Sequence, residues 1–143
     1  MVIATSRVRA FQLLTDPLAH HLFDASGMVG DPVAPRRLTM VGQVFVMNMT
    51  YTSGTHVEHY QSDNHVTALE APSLIEWATA TRGGPLLGWR WRYELEAHQE
   101  QTLVTLVYDW SGTSKENADR FGVPLVDEAG LGSSLALLSR ASN

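Results

Sequence analysis

The sequence predicts an α+β domain in which an antiparallel β-sheet occupies the middle of the chain and helices lie near both ends. Hydrophobic residues alternate with charged ones from Gly88 to Glu96, which indicates a half-buried strand. The neighbouring apolar runs are separated by polar segments of turn length, too short for the crossover helices of a parallel sheet. Helical spacing is confined to the terminal regions. With 143 residues, the chain is expected to form one domain, residues 1–143.

Two short helices are predicted near the N-terminus. Ser6 to Thr15 carries apolar residues at helical spacing, with Thr5 or Ser6 as the N-cap. Asp16-Pro17 ends this helix, because the residue before a proline disfavours helical dihedral angles. Pro17 to Phe23 is predicted to form a second short turn of helix.

Five strands are predicted to follow one another as an antiparallel meander. In Gly88 to Glu96 the apolar face faces inward and the arginines and glutamates face water. Short polar or Gly- and Pro-containing segments join neighbouring strands, which favours hairpin connections. The strands are Val44 to Tyr51, Asn64 to Leu69, Leu74 to Thr81, Gly88 to Glu96 and Thr102 to Trp110.

A C-terminal helix is predicted from Asp127 to Ser139, where Leu131, Leu135 and Leu138 lie at helical spacing. Two glycines inside the segment lower its intrinsic helix propensity. Its stability is therefore expected to come from packing against the sheet.

Composition excludes several classes of function. The formal net charge is −5 with only ten Lys and Arg, which argues against nucleic-acid binding. The absence of cysteine excludes disulfides and Cys-ligated metals. No apolar segment reaches membrane-spanning length and no signal-peptide pattern begins the chain, so a cytoplasmic location is expected.

The order of short helices, long meander and C-terminal helix resembles the START-like, Bet v 1-like superfamily, and more narrowly its bacterial SRPBCC proteins labelled polyketide cyclase or dehydrase. The segments AFQLLTDP, FDASG, VGQVFVMNM, NHVTALEAPSLIEW, WRWRYELE and TLVTLVYDW are similar to that family in the same order. The resemblance implies a helix-grip fold, in which a curved sheet wraps around the C-terminal helix. It also implies an elongated cavity suited to lipids, sterols, hydroxylated aromatics or polyketide intermediates.

The chain departs from the family pattern at its beginning, because only Met1 to Ile3 precede the first helix. The first strand is therefore expected to be short or absent, or the true start lies upstream. An alternative makes Val2 to Arg9 the strand and shortens the helix. A missing strand leaves an open sheet edge, so a homodimer is one expected consequence.

Aromatic and methionine residues dominate the predicted inward face, and their bulk favours a pocket wall over a tightly packed core. A small hydrophobic molecule is the expected partner. The predicted ligand-binding residues are Met47, Met49, Tyr51, Trp77, Trp89, Trp91, Tyr93, Tyr108, Leu131 and Leu135.

The sequence contains no catalytic signature. Asp24, His59 and Tyr60 are candidates for acid–base chemistry, although Asp24 is also suited to closing the turn at Ser26-Gly27. No metal or cofactor is expected. Binding of a hydrophobic ligand is the first functional hypothesis. A polyketide cyclase or dehydrase that uses general acid–base catalysis is the second, and an interaction module with a filled core is the third.

Overall fold

The computed structural model describes residues 1–143, and its seven strands form one antiparallel sheet in the order β1-β7-β6-β5-β4-β3-β2. From β3 to β7 each strand pairs with the next along the chain, which confirms the predicted meander. The strands are β1 (Val2–Ile3), β2 (Val29–Pro32), β3 (Val44–Ser53), β4 (His56–Glu70), β5 (Leu74–Thr81), β6 (Leu86–His98) and β7 (Gln101–Asp109).

Four helical segments accompany the sheet: α1 (Arg7–Leu14), a 3-10 helix (Pro17–Phe23), α2 (Lys115–Phe121) and α3 (Glu128–Ala141). The Ser6 hydroxyl caps α1 by accepting a hydrogen bond from the Arg9 N–H at 3.2 Å, as predicted. None of the helices is both long and apolar enough to cross a membrane.

The first strand is short, as predicted. β1 has two residues, which pair with Leu103 and Thr102 of β7. The alternative that made Val2 to Arg9 a strand is wrong, because α1 begins at Arg7 and Ser6 is already its cap.

The two faces of the sheet differ as the alternation in β6 predicts. On the outer face, Arg92 contacts Glu76 of β5 at 3.4 Å and Glu94 at 2.7 Å. On the inner face, a continuous apolar core includes residues of the sheet, α1, the 3-10 helix and α3. Burying the apolar side of the sheet is the main favourable contribution to folding.

The C-terminal helix lies close to its predicted range and begins at its cap Asp127, whose carboxylate accepts the Gly130 N–H at 2.8 Å. It packs mainly against the 3-10 helix and more sparsely against β7. Leu138 is its only fully buried apolar side chain, and Leu131 and Leu135 are half-buried. The helix therefore does not press on the sheet along its whole length.

Two elements were not predicted and one is much longer than predicted. β2 contains Gly30 and ends at Pro32, residues that are rare in strands, and α2 has no apolar periodicity. β4 extends from His56 instead of beginning at Asn64. Its additional residues show no apolar alternation, because several of its inward side chains are polar.

Candidate functional site

A cavity of about 590 Å³ lies between the inner face of the sheet and the helices. Strands β3 to β7 form one side, and the opposite side consists of the 3-10 helix, α2 and the start of α3. A volume of several hundred cubic ångströms is typical of small-molecule sites. The interior of the domain is therefore not filled by its own side chains.

The aromatic wall of the cavity comes from β5 and β6. Trp89, Trp91 and Tyr93 alternate along β6, so all three point to the same face. Trp77 lies beside them on β5, with its ring centroid 5.9 Å from that of Tyr93 in a stacked arrangement. These residues present a flat, polarizable surface.

A second wall is flexible and apolar. Met47 and Met49 project from β3, and Phe45 from the same face of this strand contacts Trp77 edge-on at 5.6 Å between ring centroids. Methionine side chains adapt to the shape of an apolar partner because three of their bonds rotate freely.

A third wall, on β4 and β5, is polar. The β3–β4 register places Asn64 opposite Phe45 and Ser62 opposite Met47, so these polar side chains share the inward face with the apolar residues of β3. The same alternation continues toward the start of β4. The inward polar residues of the two strands are Glu58, Tyr60, Ser62, Asn64, Thr79 and Thr81.

A directional chain of hydrogen bonds connects three of these residues. Asn64 Nδ2 donates to the Phe45 carbonyl at 3.3 Å and to Ser62 Oγ at 3.2 Å, while Thr79 Oγ1 donates to Asn64 Oδ1 at 3.1 Å. The Phe45 carbonyl can only accept, so it fixes which side of the Asn64 amide carries the nitrogen. Both polar atoms of the Asn64 side chain are therefore engaged within the protein.

His20 lies in the 3-10 helix and is buried among three aromatic rings. Its ring stacks on Trp77 at 5.1 Å between centroids and meets Phe23 and Phe45 at 5.2 and 5.4 Å. His20 Nε2 is 2.8 Å from the Leu14 carbonyl oxygen. Burial lowers the pKa of His20 to about 4, against the weaker opposing effects of the Leu14 carbonyl and Asp16. The imidazole is therefore neutral near pH 7.

Two cavity tyrosines keep their protons. Burial, with a smaller contribution from Asp24, raises the pKa of the Tyr93 hydroxyl well above its usual range. Burial followed by the nearby Glu58 raises the pKa of Tyr60. Both hydroxyls are consequently available as hydrogen-bond donors, and neither is suited to act as a base at neutral pH.

The structure brings most of the predicted ligand-binding residues to one cavity. Tyr51 lies at the open end and is 43% exposed, whereas Trp89 is 4% exposed. The predicted residues that line the cavity are Met47, Met49, Tyr51, Trp77, Trp89, Trp91, Tyr93 and Leu131.

Tyr108 and Leu135 do not reach the cavity wall. The β6–β7 register places Tyr108 directly opposite Trp91, and the two rings stack. Of the two residues, Trp91 lines the cavity. Leu135 packs against the hydrophobic core. Strand alternation and helical spacing identify the face on which a residue lies, and they do not distinguish residues at the cavity from residues that pack beside it.

The three acid–base candidates are distributed differently. Asp24 lies at the cavity, but its carboxylate accepts from the Ser26 N–H at 2.9 Å, the Ser26 hydroxyl at 2.6 Å and the Val29 N–H at 3.0 Å, so it closes a turn. His59 points to the outer face and is 3.1 Å from Thr50 Oγ1. Of the three, Tyr60 lines the cavity without such an engagement.

Sequence reasoning missed several lining residues. His20 and Phe23 come from a 3-10 helix, whose spacing produces no recognisable periodicity. Phe121 belongs to α2 and contacts Trp89 edge-on at 5.7 Å, and Arg120 places its guanidinium 5.0 Å over the Phe121 ring. Phe45, by contrast, shares the alternation of Met47 and Met49, so the sequence did contain a signal for it.

No group of three or more His, Cys, Asp or Glu side chains converges in the structure as a metal site.

No protein-family model and no curated protein matches this chain. Solved structures do match it. An AHSA1-like protein from Aeromonas hydrophila is 18% identical, with 98% of this chain and 88% of that chain covered and a TM-score of 0.62. A major latex-like protein from Panax ginseng is 14% identical, with 98% and 89% covered and a TM-score of 0.58. A protein from the dynemicin biosynthetic locus is 16% identical, with 98% and 44% covered and a TM-score of 0.60.

At these identities the likeness establishes the fold. The predicted resemblance to the SRPBCC and Bet v 1-like superfamily is thus confirmed at the level of the fold, and the helix-grip architecture is confirmed with it. Function does not follow from fold alone, since one fold supports many unrelated activities.

Proposed function

We propose that this protein binds a small, mainly apolar molecule in the cavity between the sheet and the helices. The observation that carries the proposal is a cavity of about 590 Å³ whose wall combines Trp77, Trp89 and Trp91 with Met47 and Met49. Aromatic rings bury large apolar areas at little cost in side-chain entropy, and methionines adjust to the shape of the ligand. The size of the cavity argues against an interaction module with a filled core.

The mouth of this cavity supports the proposal. An open depression of about 480 Å³ adjoins it and is lined by the turn at Ala25–Met28, the end of β3 and the segment Pro124–Asp127. The cavity and the depression share Ser26, Met28, Tyr51, Leu125 and Val126 as lining residues. A ligand that enters from solvent through this depression would meet the residues that border the cavity.

The direct test is native mass spectrometry of the protein purified from its own host, to detect a small molecule that co-purifies. We expect an adduct in the wild-type protein and its loss in Met49→Trp, which fills the cavity. Met40→Trp is the matched control, because Met40 is 64% exposed and does not line the cavity. An adduct of equal abundance in both variants would place the bound molecule elsewhere.

A polyketide cyclase or dehydrase-type enzyme is the second candidate. The polar wall of β4 favours it, because Glu58 and Tyr60 lie side by side in the inward register and supply a carboxylate and a hydroxyl donor to the same cavity. The fold neighbour from a biosynthetic locus is consistent with this candidate. To distinguish an enzyme from a binding protein, the protein is incubated with an excess of the recovered ligand, and the mass of the compound is then measured. An enzyme of this type releases a cyclised or dehydrated product, and a binding protein returns the compound unchanged.

A second copy of the chain is a further proposed partner. Met1 and β1 cover β7 only from Thr102 to Val104, so the outer edge of β7 beyond Val104 has no strand beside it. Open edges favour pairing between copies. Analytical ultracentrifugation over a range of concentrations measures this association.

A further inference from the structure

Two polar groups inside the cavity, in addition to the Tyr60 and Tyr93 hydroxyls, have hydrogen-bonding capacity that the protein itself does not use. One is the Nδ1 atom of His20, and the other is the hydroxyl proton of Ser62. Both residues are buried, at 5% and 4% exposure, and both line the cavity. Their donor and acceptor roles are fixed by neighbouring atoms, which allows the chemistry of a complementary ligand to be read from them.

The role of His20 follows from its contact with Leu14. A backbone carbonyl only accepts hydrogen bonds, so Nε2, at 2.8 Å from the Leu14 oxygen, carries the proton. In a neutral imidazole the other nitrogen is then an acceptor with a free lone pair. Thr113 Oγ1 is the only fully buried side-chain polar atom without a partner. His20 Nδ1 also has no partner in the chain, so it is not fully buried, and the cavity is the space that His20 lines.

The role of Ser62 follows from the direction of the Asn64 network. Asn64 Nδ2 donates to Ser62 Oγ at 3.2 Å, so the serine oxygen is already an acceptor in that bond. No acceptor for the Ser62 hydroxyl proton is present in the chain, although the side chain is almost completely buried. Leaving a buried hydroxyl donor unused is costly, and a ligand oxygen would supply the missing acceptor.

The surroundings of these two groups restrict the ligand further. His20 is stacked on Trp77. Ser62 lies on β4, directly opposite Met47 of β3. No cation of the cavity wall lies deep inside, because Arg120 is at the exposed end of α2 and His20 is neutral. A negatively charged group at the inner end would therefore be buried without a counter-ion, which is strongly unfavourable.

We infer that His20 and Ser62 determine specificity for an uncharged, flat aromatic molecule that carries both a hydroxyl group and a carbonyl oxygen. The hydroxyl donates to His20 Nδ1, the carbonyl accepts from Ser62, and the ring system contacts the aromatic wall of the cavity. This inference rests on the proposed binding function. It distinguishes the ligand from a plain hydrocarbon or fatty acid, which would satisfy neither group.

Three tricyclic probes with one skeleton test the inference: fluorene, fluorenone and a phenolic hydroxyfluorenone. Affinities are measured by quenching of tryptophan fluorescence and checked by calorimetry, each at a pH at which the phenol is neutral. We expect fluorene to bind most weakly, fluorenone about tenfold more tightly, and hydroxyfluorenone about tenfold more tightly again, since one net hydrogen bond contributes roughly that factor.

Substitutions at Ser62 and His20 test which residue causes each gain in affinity. Ser62→Ala is expected to weaken fluorenone and hydroxyfluorenone about tenfold and to leave fluorene unchanged. Asn64 retains the Phe45 carbonyl as a partner in this variant, so the strand should remain intact. His20→Phe keeps a ring against Trp77 and is expected to abolish the preference for hydroxyfluorenone over fluorenone. Ser133→Ala is the control, because Ser133 is exposed on α3 and its hydroxyl donates to the Ala129 carbonyl.

The outcomes separate this inference from the proposed function. If all three probes bind the wild type with equal affinity, the inference is wrong and the proposed function stands. If selectivity is present but survives both substitutions, other residues determine it and the inference is also wrong. If none of the probes binds and no molecule co-purifies, the proposed function fails. Binding of fluorene to each variant confirms that the cavity has remained folded.

Discussion

Trp91 and Tyr108 stack face to face, with ring centroids 4.0 Å apart and ring planes 5° apart. They are direct partners in the β6–β7 register. The Tyr108 hydroxyl also accepts a hydrogen bond from the Leu125 N–H at 3.2 Å. A single side chain therefore supports an aromatic residue of the cavity wall and holds the segment that lines the cavity mouth.

This contact predicts a role for Tyr108 in ligand exchange. Tyr108→Phe keeps the stack with Trp91 and removes the acceptor for Leu125, so it should cost about 1 kcal/mol in the free energy of unfolding. It should also speed ligand dissociation, because the segment at the mouth is less firmly held. Urea denaturation and stopped-flow displacement of a bound probe measure the two effects. An unchanged dissociation rate would show that Leu125 does not control access.

The buried histidine predicts a specific pH dependence of stability. Because burial lowers the folded-state pKa of His20 from 6.5 to about 4, the unfolded chain takes up the proton first as the pH falls. Above the unfolded pKa both states are neutral, and this group contributes no pH dependence. Between about pH 6.5 and pH 4 the folded state loses up to about 3 kcal/mol relative to the unfolded state.

The measurement is urea denaturation of the wild type and of His20→Phe between about pH 7 and pH 4. The free energy of unfolding of the wild type should fall relative to that of the variant over this range. Other titrating groups are common to both proteins and largely cancel in the difference. Parallel profiles would mean that the ring of His20 is charged or solvated in the folded protein.

A substitution on the outer face of the sheet should change the stability of the protein without changing its affinity for a ligand. Glu76 has a side chain 12% exposed, accepts from the Thr67 hydroxyl at 2.8 Å and contacts Arg92 at 3.4 Å. Glu76→Gln should lower the free energy of unfolding by about 1 kcal/mol, less at high salt, because the carboxylate charge is lost. Affinity for a cavity probe should not change. A parallel loss of affinity would contradict the separation of the two faces.

A close approach between backbones predicts a second effect on stability. Gly88 has φ +108°, and a Cβ at this position would overlap the carbonyl oxygen of Gly112. Gly88→Ala should therefore destabilise the protein by about 2–4 kcal/mol, through backbone strain and steric overlap. Gly132→Ala in α3 is the matched control, since its Cβ would meet open space. It should stabilise the protein by about 0.5–1 kcal/mol, because alanine has the higher helix propensity.

The sequence predicted those parts of the fold in which one face is apolar and the other is charged. β6 is the clearest case, because Arg90 and Arg92 face water, whereas Trp89 and Trp91, which alternate with them, face the cavity. The same criterion failed for the first half of β4. There Tyr60 and Ser62 face inward, so no alternation of polar and apolar residues marks the strand. The inward polar residues that made this part of the strand unpredictable also form the polar wall of the cavity.

His20 shows a second limit of sequence reasoning. Nothing in the local sequence around His20 indicates that its ring is buried. The stacking of this ring on Trp77 depends on the docking of the 3-10 helix onto the sheet side of the domain. Contacts between elements distant in sequence leave no periodic signal. Tyr108 and Leu135 lie beside the residues that line the cavity. Local spacing identifies a face and does not identify which residues of that face meet the cavity.

The five methionines permit the most direct test of the central claim, that a small molecule occupies this cavity. Met28, Met47 and Met49 line it, whereas Met1 and Met40 are exposed elsewhere. We would record methyl NMR spectra of methionine-labelled protein during titration with hydroxyfluorenone. The account predicts shifts for Met28, Met47 and Met49 and none for Met1 and Met40. Shifts confined to Met1 or Met40, or no saturable shift at the lining methionines of a protein with which no small molecule co-purifies, would contradict it.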